Sequence, residues 1–478
     1  MPHHVAKRST LSRSVAVALA VAALGLSPLA MAQSAKEKEL EARVAELEKM
    51  VHQLMAEKQA GAAPAAAPAP AAAGAAAGAT VAAAPPKADA KVIQTAPITP
   101  NAAPGTSFIF TGYAKVDGLW SDTKDGEFAE GAAGSAATTG RDFYVPGATP
   151  VGGFSESGTD FDAHAKQSRL IFGTDTVLDG GDKLQTRFEF DFYGSITGDQ
   201  RTTNTYAPSL RQAYVQWRNW LVGQTWSNFQ DAAVLVDSVD YIGATDGTVF
   251  VRQPQVRYTR GGLSLSLENP ETTLTPFGGG VGGNARVTSD DSTFPDLTGR
   301  YTWKGAWGHF SVAGLARELK YQVTNQTTGA KVNDDSTWSA AGSLSGKFNL
   351  GKNDDIRYML LGGNLGRYVG LNFTNDAVLD ADGNLETIDG VAGFIAWRHL
   401  WSPKWRTNLY FAMQDYDNDA SLTGSRVNKT SQSWTGNVFY TPLPKLDIGA
   451  EFRHAIRELE NGDDGTLDRL QLTTKYSF

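Results

Sequence analysis

From Ser107 to the last residue the chain is punctuated by connections of two lengths, and these alternate. Short breaker clusters stand at Asp179-Gly180-Gly181-Asp182, Arg218-Asn219, Arg260-Gly261-Gly262, Lys304-Gly305, Gly351-Lys352-Asn353-Asp354, Ser402-Pro403-Lys404 and Pro442-Leu443-Pro444-Lys445. Each has the residue chemistry of a tight hairpin. Between them lie longer stretches rich in Gly, Asp, Asn and Thr, near residues 121–163, 196–208, 227–247, 270–295, 320–335, 371–389, 417–430 and 459–465. Seven short turns alternating with eight long loops predict sixteen strands. A soluble sandwich or propeller has no reason to sort its connections by length. A transmembrane barrel does, with short turns on the periplasmic side and long loops outside. The expected fold is therefore all-β: an antiparallel transmembrane β-barrel of about sixteen strands over residues 106–478.

The segments between the breakers alternate with period two, as strands with one oily and one wet face must. Leu184, Thr186, Phe188, Phe190 and Phe192 face one way, and Gln185, Arg187, Glu189, Asp191 and Tyr193 the other. The first segment sets Phe108, Phe110, Ala114, Val116 and Trp120 against Thr111, Tyr113, Lys115 and Asp117. In the last, Leu470, Leu472, Thr474, Tyr476 and Phe478 oppose Arg469, Gln471, Thr473, Lys475 and Ser477. Trp217 and Trp220, Trp303 and Trp307, and Trp401 and Trp405 flank three of the short turns, where a lipid-water boundary would satisfy both ring and N–H.

The N-terminus reads as an export signal. Lys7, Arg8 and Arg13 precede the apolar run Val15 to Leu26, and Ala30-Met31-Ala32 supplies a cleavage site, so residues 1–32 are the expected signal peptide. Residues 33–58 then carry Leu40, Val44, Leu47, Val51 and Leu54 at heptad spacing, the seam of a short periplasmic α-helical coiled coil. Val at a with Leu at d leans toward two strands, whereas Arg43-Val44-Ala45-Glu46-Leu47-Glu48 resembles a trimeric pattern, so the order stays open. Residues 59–105, dominated by Ala, Pro and Gly, read as a linker lacking the apolar side chains to order it. Past the N-terminus no apolar run approaches the roughly 18–20 residues of a transmembrane helix.

Chemistry is limited by what is missing. The chain has no Cys, so thiolate metal sites and disulfides are excluded, and its net charge of −8 argues against a nucleic-acid partner. Neither a Gly-x-Ser-x-Gly elbow nor a His-Glu-x-x-His motif occurs, and no metal site or cofactor is expected. His399 and His454 fall on the apolar phase with no Ser partner, so no catalytic constellation emerges and no enzymatic activity is expected.

The polar phase is better explained as a pore lining. Alternation turns Lys115, Arg169, Arg187, Arg257, Arg300, Arg357, Arg367, Arg398, Arg406, Arg453, Arg457 and Arg469 inward, while acids concentrate in the loops. Cationic rings in an aqueous channel favour anions, and a guanidinium can grip a carboxylate with two hydrogen bonds. Any one of these arginines could instead neutralise an acid on the wall. The phase around Arg317 is ambiguous. The third loop, Ser227 to Gly247, is too apolar for a solvated exterior and interleaves Asp231, Asp237, Asp240, Tyr241 and Asp246. It is expected to fold inward and constrict the lumen, its acids facing the arginine-lined side to set up a transverse field. An exposed loop covering a neighbouring barrel is the alternative.

The whole chain resembles the DcaP-like trimeric porins of Gram-negative bacteria. The resemblance is carried by the Leu40–Leu54 heptads, Phe110-Thr111-Gly112-Tyr113-Ala114-Lys115, Val222-Gly223-Gln224-Thr225-Trp226-Ser227, Arg252-Gln253-Pro254-Gln255-Val256-Arg257-Tyr258 and the terminal Tyr476-Ser477-Phe478. It implies a homotrimer in the outer membrane taking up small organic anions, dicarboxylates among them, with Tyr476 and Phe478 at the end recognised during insertion. The expectation is an anion-preferring diffusion porin in contact with outer-membrane lipid. A tether, whose coiled coil and linker contact peptidoglycan while the barrel serves as an anchor, is the alternative.

Overall fold

In the computed structural model, residues 92–94, 105–128, 140–153, 158–194, 206–324 and 327–478 are described. The signal peptide and the coiled-coil seam Leu40, Val44, Leu47, Val51 and Leu54 lie outside them. The barrel opens with β1 (Thr106–Thr123). Strand β2 comes in two halves, Gly158–His164 and Arg169–Val177, and is followed by β3 (Lys183–Asp191), β4 (Ser209–Trp217) and β5 (Trp220–Trp226). Next come β6 (Arg252–Arg260), β7 (Leu263–Glu268), β8 (Asp296–Gly305), β9 (Gly308–Thr324), β10 (Lys331–Leu350) and β11 (Asp354–Gly363). The last five are β12 (Gly390–Ser402), β13 (Trp405–Tyr416), β14 (Asn428–Leu443), β15 (Leu446–Leu459) and β16 (Asp464–Ser477).

Every neighbouring pair is antiparallel, and β16 closes on β1 from Tyr113 opposite Ser477 to Thr123 opposite Leu467. Closure removes the sheet edge, which no strand may expose in lipid. The seven tight turns fall where the breaker clusters predict them. The fifth and eighth connections differ from expectation. Strands β9 and β10 run on to pair at Thr324 and Lys331, and β15 with β16 at Glu458 and Asp464, so both are hairpin tips rather than long loops. Asp, Asn, Lys and Thr there are as compatible with an extended polar hairpin above the membrane as with coil.

Below the C-terminus, where β16 has run out, Val92–Gln94 pairs with Ile109 and Phe108 of β1. The end of the expected linker thus joins the sheet beside Phe478, whose amide donates to Gly112 O at 3.0 Å. The halves of β2 pair with the upper and lower parts of β1, and between them the register moves by one residue: Asp117 faces His164, but Tyr113 faces Arg169. This bulge at 165–168 turns Gln167 into the barrel, a common use of bulges beside functional sites.

The outer face is apolar as the alternation requires, with Phe172, Phe188, Leu265, Leu344, Leu409 and Leu472 among its exposed side chains. The three Trp pairs beside the turns are also exposed, Trp217 directly opposite Trp220. Inside, the two halves of the wall differ. From β9 to β13 part of the inward phase is itself apolar, with Ala313, Leu315, Met359, Leu361, Phe394 and Ala412 all buried. Phe229, Val234 and Val249 of the third loop and Leu365, Tyr368 and Ile388 of the sixth pack on it as one core. Apolar side chains in a barrel lumen gain by excluding water, so these loops fold in. Above this core, Thr272–Thr275 and Val287–Ser289 of the fourth loop join Ala377–Leu379 and Leu385–Thr387 of the sixth in a four-stranded sheet.

Candidate functional site

The third loop crosses the lumen and is bonded to the wall along its whole course. Gln230 O accepts from Arg300 of β8, and Leu235 O from Arg357 of β11. Asp231 lies 2.8 Å from His309 Nε2 of β9 and accepts from Ser345 Oγ of β10 at 3.0 Å. Asp237 pairs with Arg406 of β13 at 2.7 Å. Ser238 Oγ and the Val239 amide donate to Glu451 of β15, while Val239 O accepts from Lys115 Nζ of β1 at 2.8 Å. Returning, the Tyr241 hydroxyl donates to Asp191 of β3 at 2.6 Å, and Asp246 accepts from Ser431 Oγ of β14 and the Tyr144 hydroxyl at 2.6 and 2.9 Å. Burial raises the Asp246 carboxyl above the ordinary carboxylate range, and the bonds from Ser431 and Ser433 pull it partly back. At Gly247 the loop touches β12 so closely that a Cβ would stand 2.1 Å from Gly393 O, which only glycine permits.

The inward fold of the third loop follows its composition, but its acids do not look across open water at the arginines. Asp237 is clamped to Arg406; Asp240, which accepts from the Tyr144 amide at 3.1 Å, lies 3.8 Å from Arg453. Asp231 meets a histidine and a serine. The carboxylates serve as anchors of the loop, so the transverse field expected from unpaired acids is largely cancelled where they bind.

The inward basic residues form two sets. On the turn side, Arg357 and Arg398 lie 2.8 and 2.6 Å from Asp355, with Lys347 at 3.6 Å from the same carboxylate. Arg406 and Lys475 share Asp447 at 3.0 and 3.5 Å. Arg257 bonds Gln255 and Trp226 O, and Arg300 a main-chain carbonyl. Arg187 pairs with Asp175 at 2.8 Å, not with Glu189 or Asp191. Those two acids belong to Arg169, 3.2 Å from Glu189, and Arg211, 2.6 and 2.7 Å from Glu189 and Asp191. Side chains of the turn-side set remain partly accessible: 22% for Arg187, 27% for Arg398 and 29% for Lys475.

On the loop side the arginines are sealed. Arg453 bonds Gly243 O at 2.7 Å beneath the Tyr144 ring. Arg469 bonds Gly140 O at 2.6 Å and Ser121 Oγ at 2.8 Å, and Arg457 bonds Thr149 O at 2.7 Å, all under the first loop. Arg367 sits on the sixth loop rather than on a strand, 2.9 Å from Asp296. Arg317, whose phase the pattern left open, faces inward and pairs with Asp376 at 2.7 Å and Asp296 at 3.2 Å. His399 stands outward at the turn-side girdle, 2.8 Å from Asp354, which also accepts from Trp397 Nε1. Tyr476 and Phe478 face outward on β16, and Phe478 packs on Phe110.

Three further cations outside the expected pore lining face inward. Lys347 follows the same phase as Ser343 and Ser345 and was legible there. Counting back from Trp217 and Val215 puts Arg211 on the lipid face, but a register shift at Glu189/Phe190 turns it in. Arg252 closes the third loop with its guanidinium 4.9 Å from the Trp226 ring, a contact that alternation does not encode.

A closed barrel of this size, oily outside and narrowed by an infolded third loop, is an outer-membrane channel of porin type. The chain belongs to the DcaP outer membrane protein family, which it matches over residues 132–478. It is similar to the outer membrane channel DcaP of Acinetobacter baumannii, with 23% identity, a TM-score of 0.61, and coverage of 78% of this chain and 98% of that one. Weaker likenesses are OmpF of Salmonella typhi in complex with daunomycin (9% identity, TM-score 0.46, 78% and 98% covered) and OmpT of Vibrio cholerae (10%, 0.45, 79% and 99%). No curated protein sequence matches.

Proposed function

We propose that the protein is a passive, water-filled, anion-preferring channel for small organic anions, dicarboxylates included, and that it performs no catalysis. The observation that carries this reading is Asp355, one carboxylate shared by Lys347, Arg357 and Arg398. Three positive charges against one negative leave net positive charge facing the lumen. In a narrow channel with low-dielectric walls, that field raises the local anion concentration and repels cations. An entering carboxylate exchanges water for guanidinium N–H groups already held by wall carbonyls, so binding costs little reorganisation and release stays easy. Reversal potentials of the purified protein in planar bilayers under a KCl gradient test the reading: chloride preference is expected, and cation preference refutes it.

The assembly that fits this reading is a homotrimer, with residues 1–32 removed on export and the heptads of residues 33–58 meeting in the periplasm. Chemical cross-linking of the purified full-length protein should give a limit at three chains.

A further inference from the structure

The seven tight turns share a residue type that a hairpin does not require. Lys183, Arg260, Lys304, Lys352, Lys404 and Lys445 stand at six of them and Arg218 at the seventh, all exposed. Arg218 pairs with Asp182 at 2.7 Å, and its guanidinium lies 4.8 Å from the ring of Trp217, which faces outward. The side chains of the other six have no ion pair or hydrogen bond among the described residues. Of the acids in these turns, Asp182 is held by Arg218 and Asp354 by His399, which leaves Asp179. The turn-side rim is therefore cationic all round. The opposite end mixes its signs: exposed Lys124 and Lys331 lie beside Asp468 and Asp334, and Asp290, Asp382, Asp463 and Asp464 are exposed as well.

Height decides what such a ring can meet. Three Trp pairs flank the same turns, and indole rings settle at the headgroup level of a bilayer. A two-residue turn such as Arg218-Asn219 cannot project far below that level, so its cation stays among headgroups rather than reaching a more distant surface. Long basic side chains lay their stems on the girdle and carry the charge to phosphate oxygens. We propose that the turn-side rim is a docking ring for anionic phospholipid headgroups of the periplasmic leaflet. Headgroup binding at the rim requires no anion preference in the lumen.

Full-length protein reconstituted in phosphatidylcholine vesicles tests this, with quenching of its tryptophans by brominated phosphatidylglycerol reading the preference for the anionic lipid. At about 50 mM salt a preference of about threefold is expected, and at about 1 M, where the Debye length is about 3 Å, it should vanish. Lys183→Gln, Lys304→Gln, Lys352→Gln, Lys404→Gln and Lys445→Gln together should bring the low-salt preference close to parity, whereas Lys124→Gln on the loop side should leave it unchanged. No preference in the parent protein, a preference that persists at high salt or survives the combined substitutions, or an equal loss in Lys124→Gln overturns the proposal. If the combined variant does not insert, Lys352→Gln with Lys404→Gln takes its place: about half of the preference should go, and an unchanged value overturns the proposal. Purified peptidoglycan is the competing surface. Should the combined substitutions abolish co-sedimentation of the full-length protein with it while the lipid preference stays, the ring serves the cell wall and the proposal fails.

Discussion

The turn-side arginines of β11 and β12 and the loop-side arginines of β15 and β16 answer the same alternation and do different work. Arg357 and Arg398 share one acid, keep part of their surface in the lumen, and hold nothing but each other's partner and a loop carbonyl. Arg453 and Arg469 have lost their water to the third and first loops, and their hydrogen bonds end on the carbonyls of Gly243 and Gly140. What separates them is the cover above. The turn-side guanidinium groups bond the third loop at Gln230, Leu235 and Asp237 from below, whereas on the loop side the first and third loops cover the wall. An inward arginine under a loop is a staple, and one facing open water is what the proposed anion channel would use.

Variants can break this comparison, beginning with the largest effect. Arg317→Ala takes the ion-pair partner from buried Asp376 and one of the two from Asp296, which keeps Arg367, so it should cost about 3–5 kcal/mol of barrel stability. Thermal unfolding of the purified protein would register it, and a near-unchanged midpoint would mean the pair is dispensable. Arg453→Ala should follow, destabilising by about 2–3 kcal/mol through the loss of charge-assisted bonds, with a smaller change in ion selectivity than any turn-side variant. The converse pattern belongs to Arg357→Ala combined with Arg398→Ala. Anion preference should fall at least severalfold with a smaller loss of stability than either loop-side variant, since Arg398 is partly accessible and Lys347 remains beside Asp355. Should the two outcomes swap, with Arg453 controlling selectivity and Arg357 stability, the division between staple and channel lining is wrong. Salt sharpens the same contrast: at about 1 M the Debye length shrinks to about 3 Å, so selectivity should weaken while the unfolding temperature hardly moves. Smallest is Tyr241→Phe, which removes the bond to Asp191 and the one accepted from Arg211 and should cost about 1 kcal/mol in the same unfolding assay.

Much of the fold was legible because lipid enforces period two so strictly. Phe188 and Leu472 had to face out, Arg187 and Gln471 in, and the breakers marked every tight turn. The infolded third loop was also legible, since Phe229, Val234 and Val239 are too apolar to sit in water. The site was less so. Apolar residues on the inward phase of β9 to β13, such as Leu315 and Met359, look on paper like more lipid face, and only the loops packed on them explain their chemistry. Bulges defeat counting as well. Arg211 changes faces by one irregularity in β4, and Gln167 enters the lumen by another in β2.

Along the unbulged strands, which residues could face the lumen was decided by the sequence alone, because side-chain alternation is local and each strand carries its own record of it. Which of those residues touch water was decided only by tertiary structure. Burial depends on loops that arrive from far along the chain: Gly140 reaches Arg469, Asp237 reaches Arg406, and Asp376 reaches Arg317. No periodicity links such partners; the closing of the barrel brings them within a hydrogen bond of one another.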